Sequence, residues 1–239
     1  MVATVFPDFS VIPLPRVIRI EPSSACNLRC IHCPTGTRKG LKRGVMSKSV
    51  YKKIVSELKN NKNIDVVALY HGGEPFLNKN IFHMIRTFKR MGIRFVKIVT
   101  NGTMIKENMV SRLLRSGIDS IEFSLDGNSP AENNKIRRGS SYQLVVSTIK
   151  AILIKKEELK LSIPEICIAN TQIPTKRIFK DGNITTPGFL KKEFSGFMGK
   201  IVFKNTFMIK WPGFILQKWY EMLQRKQDKK SLRDRKSVV

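Results

Sequence analysis

Three cysteines within eight residues, Cys26, Cys30 and Cys33, are the side chains here most plainly able to do chemistry. They stand in Cys26-Asn27-Leu28-Arg29-Cys30-Ile31-His32-Cys33, a CxxxCxxC spacing. Three clustered thiols cannot all pair among themselves, and a disulfide framework would spread its cysteines along the chain. The fourth, Cys167, lies far away. Three thiolates on one loop can hold three irons of a [4Fe–4S] cubane, which takes four cysteines when fully ligated. An iron without a protein ligand is open to a substrate or cofactor. The alternative is structural zinc, which wants four closed ligands, commonly as CxxC pairs. His32 would have to be the fourth, and its place between two cysteines matches paired spacing poorly.

The elements around that loop follow a regular beat. Residues 16–21 alternate and predict a strand running into the cysteines. A loop rich in Gly, Lys and Arg leads to Gly44, and Ser47 then caps a predicted helix ending near Asn60. Its apolar positions are Val50, Ile54, Val55 and Leu58. Residues 65–70 form an apolar run short enough for a buried parallel strand, broken by His71-Gly72-Gly73-Glu74-Pro75. A helix over 81–91 and a strand over 94–99 follow, then the turn Thr100-Asn101-Gly102. Residues 106–116 predict a helix stopped by Gly117. A fourth strand over 119–125 runs into Ser124-Leu125-Asp126-Gly127. Residues 142–158 predict a long helix with Val145, Ile149 and Ile152 on one face, and 165–169 a fifth strand. Strands alternating with helices mean βαβ units and a parallel sheet, doubly wound or barrel-like. In a barrel, the strand ends form a rim where side chains from several strands converge.

Composition narrows the class. The chain has 239 residues, and its 41% hydrophobic content is enough for a core, which excludes global disorder. No run of about 18 uncharged apolar residues occurs, so no membrane span is expected. The first residues carry prolines at 7, 13 and 15 and an early Asp8, without the basic-then-apolar order of a signal peptide. A cytoplasmic protein is expected. The net charge of +26 makes polyanions such as RNA candidate partners. The basic residues are scattered, mostly lysines, and read first as solvated faces.

With these residues in view, the sequence resembles the radical S-adenosylmethionine (radical SAM) enzymes over roughly residues 17–174. The cysteine trio, with His32 before its last member, is similar to that family's cluster loop. Gly72-Gly73-Glu74-Pro75 resembles its GGEP segment, Thr100-Asn101-Gly102-Thr103 its TNG turn, and Ser124-Leu125-Asp126-Gly127 its SxDG turn. Each motif is short, but they occur in family order and each follows a predicted strand. The resemblance implies an α/β fold, a partial parallel (β/α) barrel. It implies a [4Fe–4S] cluster on Cys26, Cys30 and Cys33, with S-adenosylmethionine on the open iron through its amino and carboxylate groups. Reductive cleavage would then give a 5′-deoxyadenosyl radical that abstracts hydrogen from the substrate. Gly72, Gly73, Glu74, Asn101, Ser124, Asp126, Arg137 and His32 are the implied cofactor-binding residues. Arg137 falls where relatives set an arginine against the methionine carboxylate, with Arg138 as its neighbouring competitor. His71 reads as a satisfied turn residue, His83 as structural, and Cys167 as a small buried residue.

The turns look closest to the branch that carries an auxiliary-cluster module, usually called SPASM. Its members often modify peptides, mature other enzymes or act on cofactor precursors. That module needs several later cysteines, and here none follows Cys167, so auxiliary clusters are not expected. After Pro174 the beat fails. Residues 181–200 are rich in Gly, Thr and Lys, 201–211 alternate, and 214–239 begin as an amphipathic helix and end as a charged tail. The final Asp234-Arg235-Lys236-Ser237-Val238-Val239 resembles the translation of a sequencing adapter, so a truncated C-terminus is expected. The expected division is 1–15 as an N-terminal extension, 16–174 as the radical SAM core and 175–239 as a truncated extension. A peptide or protein substrate is favoured, with a low-potential donor such as flavodoxin or ferredoxin. The rival readings are an RNA-modifying member of the same superfamily and an inactive metal-binding fragment or scaffold.

Overall fold

Short runs of β-branched and aromatic residues recur between the helical stretches, and each becomes a strand of one sheet. The computed structural model describes residues 15–59, 63–172 and 185–207. The strands are β1 (Val17–Arg19), β2 (Val66–Ala68), β3 (Phe95–Thr100), β4 (Ser120–Ser124), β5 (Glu165–Gln172) and β6 (Ile201–Phe207). Between them lie α1 (Pro34–Thr37), α2 (Lys48–Lys59), α3 (Ile81–Arg90), α4 (Glu107–Leu114), α5 (Pro130–Ile136), α6 (Tyr142–Glu158) and α7 (Gly188–Glu193).

Among the described residues, the six strands are all parallel and lie in chain order, β1 beside β2 and so on to β6. A doubly wound sheet would reverse its order at a switch point, whereas an unbroken order winds one way, as in a barrel wall. Alternation along the strands separates two faces. Val96, Ile98, Ile121, Phe123, Ile166 and Ile168 are buried in one core with Phe88, Leu113, Val145, Ile149 and Ile152 of the helices. Burying such a side chain fully contributes roughly 1.5–3 kcal/mol, so this layer carries the fold. Lys97, Val99, Glu122 and Ser124, at the alternate positions, are only half-buried. Among the described residues no helix is long and apolar enough to cross a membrane.

Helix starts follow their caps. Ser47 accepts from the Val50 N–H at the start of α2, and Ser141 from the Leu144 N–H at the start of α6. The structure differs from the sequence reading in four places. Val50 points outward, 51% exposed, and Tyr51 takes the buried position on α2 instead. α5 was not expected, although Ser129-Pro130-Ala131-Glu132 is a helix-start signature: Ser129 accepts from the Glu132 N–H and Glu132 from the Asn128 N–H. α7 forms within the Gly- and Lys-rich stretch read as irregular. β5 runs on to Gln172, and β6 pairs with it from Ile166–Ile201 to Gln172–Phe207. The sheet therefore continues past residue 174, where the sequence reading ends the core. Residues 1–14, 173–184 and 208–239, with the expected terminal helix and adapter-like tail, lie outside the described residues.

Candidate functional site

β1 delivers the chain into the cysteine loop, and the loop is fixed from two sides. The Arg29 N–H donates to the Arg138 carbonyl at 2.8 Å and the Ile31 N–H to the Ile136 carbonyl at 2.9 Å, strapping the loop to the end of α5. Leu28 is buried beneath it. Cys33 caps α1, and a Cβ on Gly36 would stand 2.8 Å from the Cys30 nitrogen and oxygen, so only glycine lets α1 fold back this tightly. The thiols lie within electrostatic reach of one another. Burial pushes Cys30 up to about 11, with Arg137 opposing. Cys26 is also raised by burial, against the Leu28 N–H that its sulfur accepts.

The Gly-Gly-Glu-Pro segment packs directly on this loop. A Cβ on Gly73 would meet the Ser23 carbonyl at 2.1 Å and that of Ala25 at 2.6 Å, a space that admits only hydrogen. Neither Gly72 nor Gly73 has positive φ, so close approach to the protein's own backbone is the requirement at Gly73, while a Cβ on Gly72 would stand 3.1 Å from Thr35 Oγ1. Glu21 accepts from the Gly72 and Gly73 N–H groups at 2.7 and 3.2 Å. Glu74 is buried and accepts from Thr100 Oγ1, the Asn101 N–H and the Phe76 N–H. Burial raises its pKa against those three bonds. Glu74 is thus a brace between the second and third strand ends.

The third and fourth strand ends close the site. Asn101 Nδ2 reaches Cys26 Sγ at 3.8 Å and Asn27 Oδ1 at 2.9 Å. Asp126 is 1% exposed and binds Arg137 Nη1 at 2.7 Å through Oδ2, with His32 Nε2 at 3.8 Å. Burial opposes the Arg137 charge, but Asp126 and the thiols outweigh it and raise its pKa. Burial holds His32 towards its neutral form, against the pull of Asp126. Arg137 Nε and His32 Nδ1 are buried without a hydrogen-bond partner among the described residues. Ser124 sits half-buried two residues before Asp126 on β4.

Ten of the residues singled out thus gather at one end of the sheet: Cys26, Cys30, Cys33, His32, Gly72, Gly73, Glu74, Asn101, Asp126 and Arg137. Arg138 is exposed, whereas Arg137 is buried against Asp126. His71 and His83 are exposed too, the latter edge-on to Tyr51 rather than in the core. Cys167 is buried and donates to Glu165 Oε1 at 2.9 Å, so it is hydrogen-bonded rather than merely apolar. Sequence reasoning missed Glu21, Asn27, Asn133 and Asn170. Asn133 Oδ1 accepts the Asp126 N–H, and Asn170 Nδ2 holds the Leu125 and Gly127 carbonyls.

Among the described residues, no three His, Cys, Asp or Glu side chains form a group that could hold a metal ion by themselves. A cubane asks for something different, thiolates spread around its corners. The donor set fits that demand: three soft thiols on one strapped loop, without a fourth cysteine at the site. The orphaned Arg137 Nε and His32 Nδ1 fit a polar ligand beside them.

Residues 20–156 match the Radical SAM superfamily. The chain is 28% identical over 124 residues to the AdoMet-dependent heme synthase of Methanosarcina barkeri, covering 52% of this chain and 34% of that one. It is 28% identical over 150 residues to the GTP 3′,8-cyclase of Desulforamulus reducens, covering 61% of this chain and 45% of that one. It thus spans less than half the length of these curated relatives. Its fold is similar to that of Streptococcus suis SuiB bound to S-adenosylmethionine. There the TM-score is 0.61 at 19% identity, over 92% of this chain and 48% of that one.

Proposed function

The chain belongs to the radical SAM superfamily, and on that premise we propose that its strand-end site holds a [4Fe–4S] cluster and S-adenosylmethionine for radical chemistry on an organic substrate. When bound, the two groups supply reductive cleavage of a sulfonium and hydrogen abstraction from that substrate. The chain's residues do the rest. Cys26, Cys30 and Cys33 would ligate three irons, and since burial raises the pKa of Cys26 and Cys30, metal binding there would release their protons. Arg137, fixed by Asp126, offers Nε–H to the methionine carboxylate. Gly72, Gly73, Ser124 and Asn101 would line the cofactor's path, with Glu74 bracing it from behind and His32 beside Asp126.

The observation that carries this reading is the meeting of three thiols on one strapped loop with a buried Arg137–Asp126 pair that keeps one donor unspent. The favoured substrate is a peptide or protein, and the electron source a cytoplasmic low-potential flavodoxin or ferredoxin. The names of the curated relatives, heme synthase and GTP 3′,8-cyclase, favour a second reading, a small anionic molecule. The test is S-adenosylmethionine cleavage by the reduced, reconstituted chain, following methionine release. Cys26→Ala, Cys30→Ala and Cys33→Ala should each abolish it, and cleavage preserved in any of them would refute the assignment.

A further inference from the structure

The sheet face turned away from the helices carries a belt of charge just below the rim. Inward positions of a parallel sheet are ordinarily apolar, yet here β1 presents Arg19, β3 Lys97, β4 Glu122 and β6 Lys204, with Tyr70 just beyond β2. The Arg19 guanidinium carbon lies 4.9 Å from the Tyr70 ring centroid, and Lys97 Nζ 5.6 Å from it. Lys97 Nζ and Lys204 Nζ both donate to Glu122 Oε2, at 2.8 and 2.9 Å. The belt thus joins β1, β3, β4 and β6 through Tyr70 and Glu122.

The same strands lead into the site above. Steps of two, the strand period, run from Arg19 to Glu21, from Lys97 through Val99 to Asn101, and from Glu122 through Ser124 to Asp126. The belt is therefore the floor beneath the rim residues. Lys97 and Lys204 share the carboxylate of Glu122, and Arg19 stacks on Tyr70 without an ion pair among the described residues. The lysines are held in part out of water, Lys97 with 20% of its side chain exposed and Lys204 with 45%. An ammonium has three donors, and a guanidinium over an aromatic ring keeps its in-plane donors for an anion.

We infer that Arg19, Lys97 and Lys204, set around Tyr70 and Glu122, take an oxyanion of the substrate, a carboxylate or a phosphate. Glu122 holds the lysines together when no ligand is present and competes with the incoming anion for their donors. The inference rests on the proposed cofactor site, since it places the substrate between that site and the belt.

The test is calorimetric titration of the full chain with inorganic pyrophosphate and, separately, with triglutamate. Replacing Arg19→Gln and Lys97→Gln together should weaken binding at least about tenfold, the scale of one lost charge-assisted hydrogen bond. The charge-matched pair Lys52→Gln and Lys53→Gln, on the outer helix α2, should leave affinity within about twofold. Glu122→Gln should tighten binding severalfold, which a purely structural glutamate would not do. A response to pyrophosphate alone identifies a phosphate, and to triglutamate alone a carboxylate. Absence of binding, equal losses in the belt and control variants, or no tightening in Glu122→Gln would overturn the inference. S-adenosylmethionine binding, measured on the same preparations, separates the two readings. If it persists while the probes fail, the belt inference alone falls; if it is absent while they bind, the cofactor reading falls.

Discussion

Asp126 holds three partners at once. Its Oδ2 receives Arg137 Nη1, its Oδ1 the Thr171 N–H at 3.2 Å, and its own N–H goes to Asn133 Oδ1. A buried ion pair adds little over apolar packing, but breaking one strands the other charge. Asp126→Ala should therefore lower stability by about 3–5 kcal/mol, read from the urea midpoint at neutral pH. A loss below about 1 kcal/mol would mean that Arg137 finds another anion or reaches water. At this scale the sequence was partly legible. The thiols, the paired glycines and Asp126 announce themselves by residue type and spacing. Glu21, which fixes both glycine N–H groups, ends an ordinary alternating strand. Asn133 and Asn170 act through backbone groups that only the folded chain brings near. No local signal marks them.

The elements act as clamps as much as supports. α5 ends in Ile136, fully buried, and the next residues carry both the strap on the cysteine loop and Arg137. The strands are tied across the inner face by Glu122, which links β3, β4 and β6. Burial pushes the Glu122 pKa up, but Lys97 and Lys204 outweigh it and leave it below the usual carboxylate value of 4.5. A lowered folded-state pKa contributes stability that is present above the unfolded value and lost as pH falls through the folded one. Wild-type stability should therefore drop more steeply than that of Glu122→Gln as pH falls below about 4.5. Parallel acid-unfolding curves for the two would contradict the tie. Strands β2 to β5 and helices α3, α4 and α6 were readable because apolar periodicity and end signals agree there. α5 carried a start signature but lay in a short polar stretch, and β6 followed a segment without rhythm. The charges on β3 and β4 interrupt runs that burial on both faces would have kept apolar. That interruption is the sequence's trace of an inner face left open to a ligand.

Over the whole molecule, 44 basic side chains against 18 acidic ones set a positive field around a parallel wall. Such a field draws anions in and steers them, while repelling itself. The proposed site and belt would give that field two local uses, the cofactor's carboxylate at Arg137 and the substrate's oxyanion below it. Neither asks the scattered surface lysines to form a specific interface. The barrel topology follows from the strand order, and the site from the ends of β1 to β4 meeting on one side. What remains decisive is the open iron. The most direct measurement is the electron paramagnetic resonance spectrum of the reduced chain after anaerobic reconstitution with iron and sulfide, before and after adding S-adenosylmethionine. A single [4Fe–4S] cluster whose spectrum changes on addition is the predicted result. A cluster whose spectrum does not respond, or a site that takes up zinc in place of iron and sulfide, would contradict it.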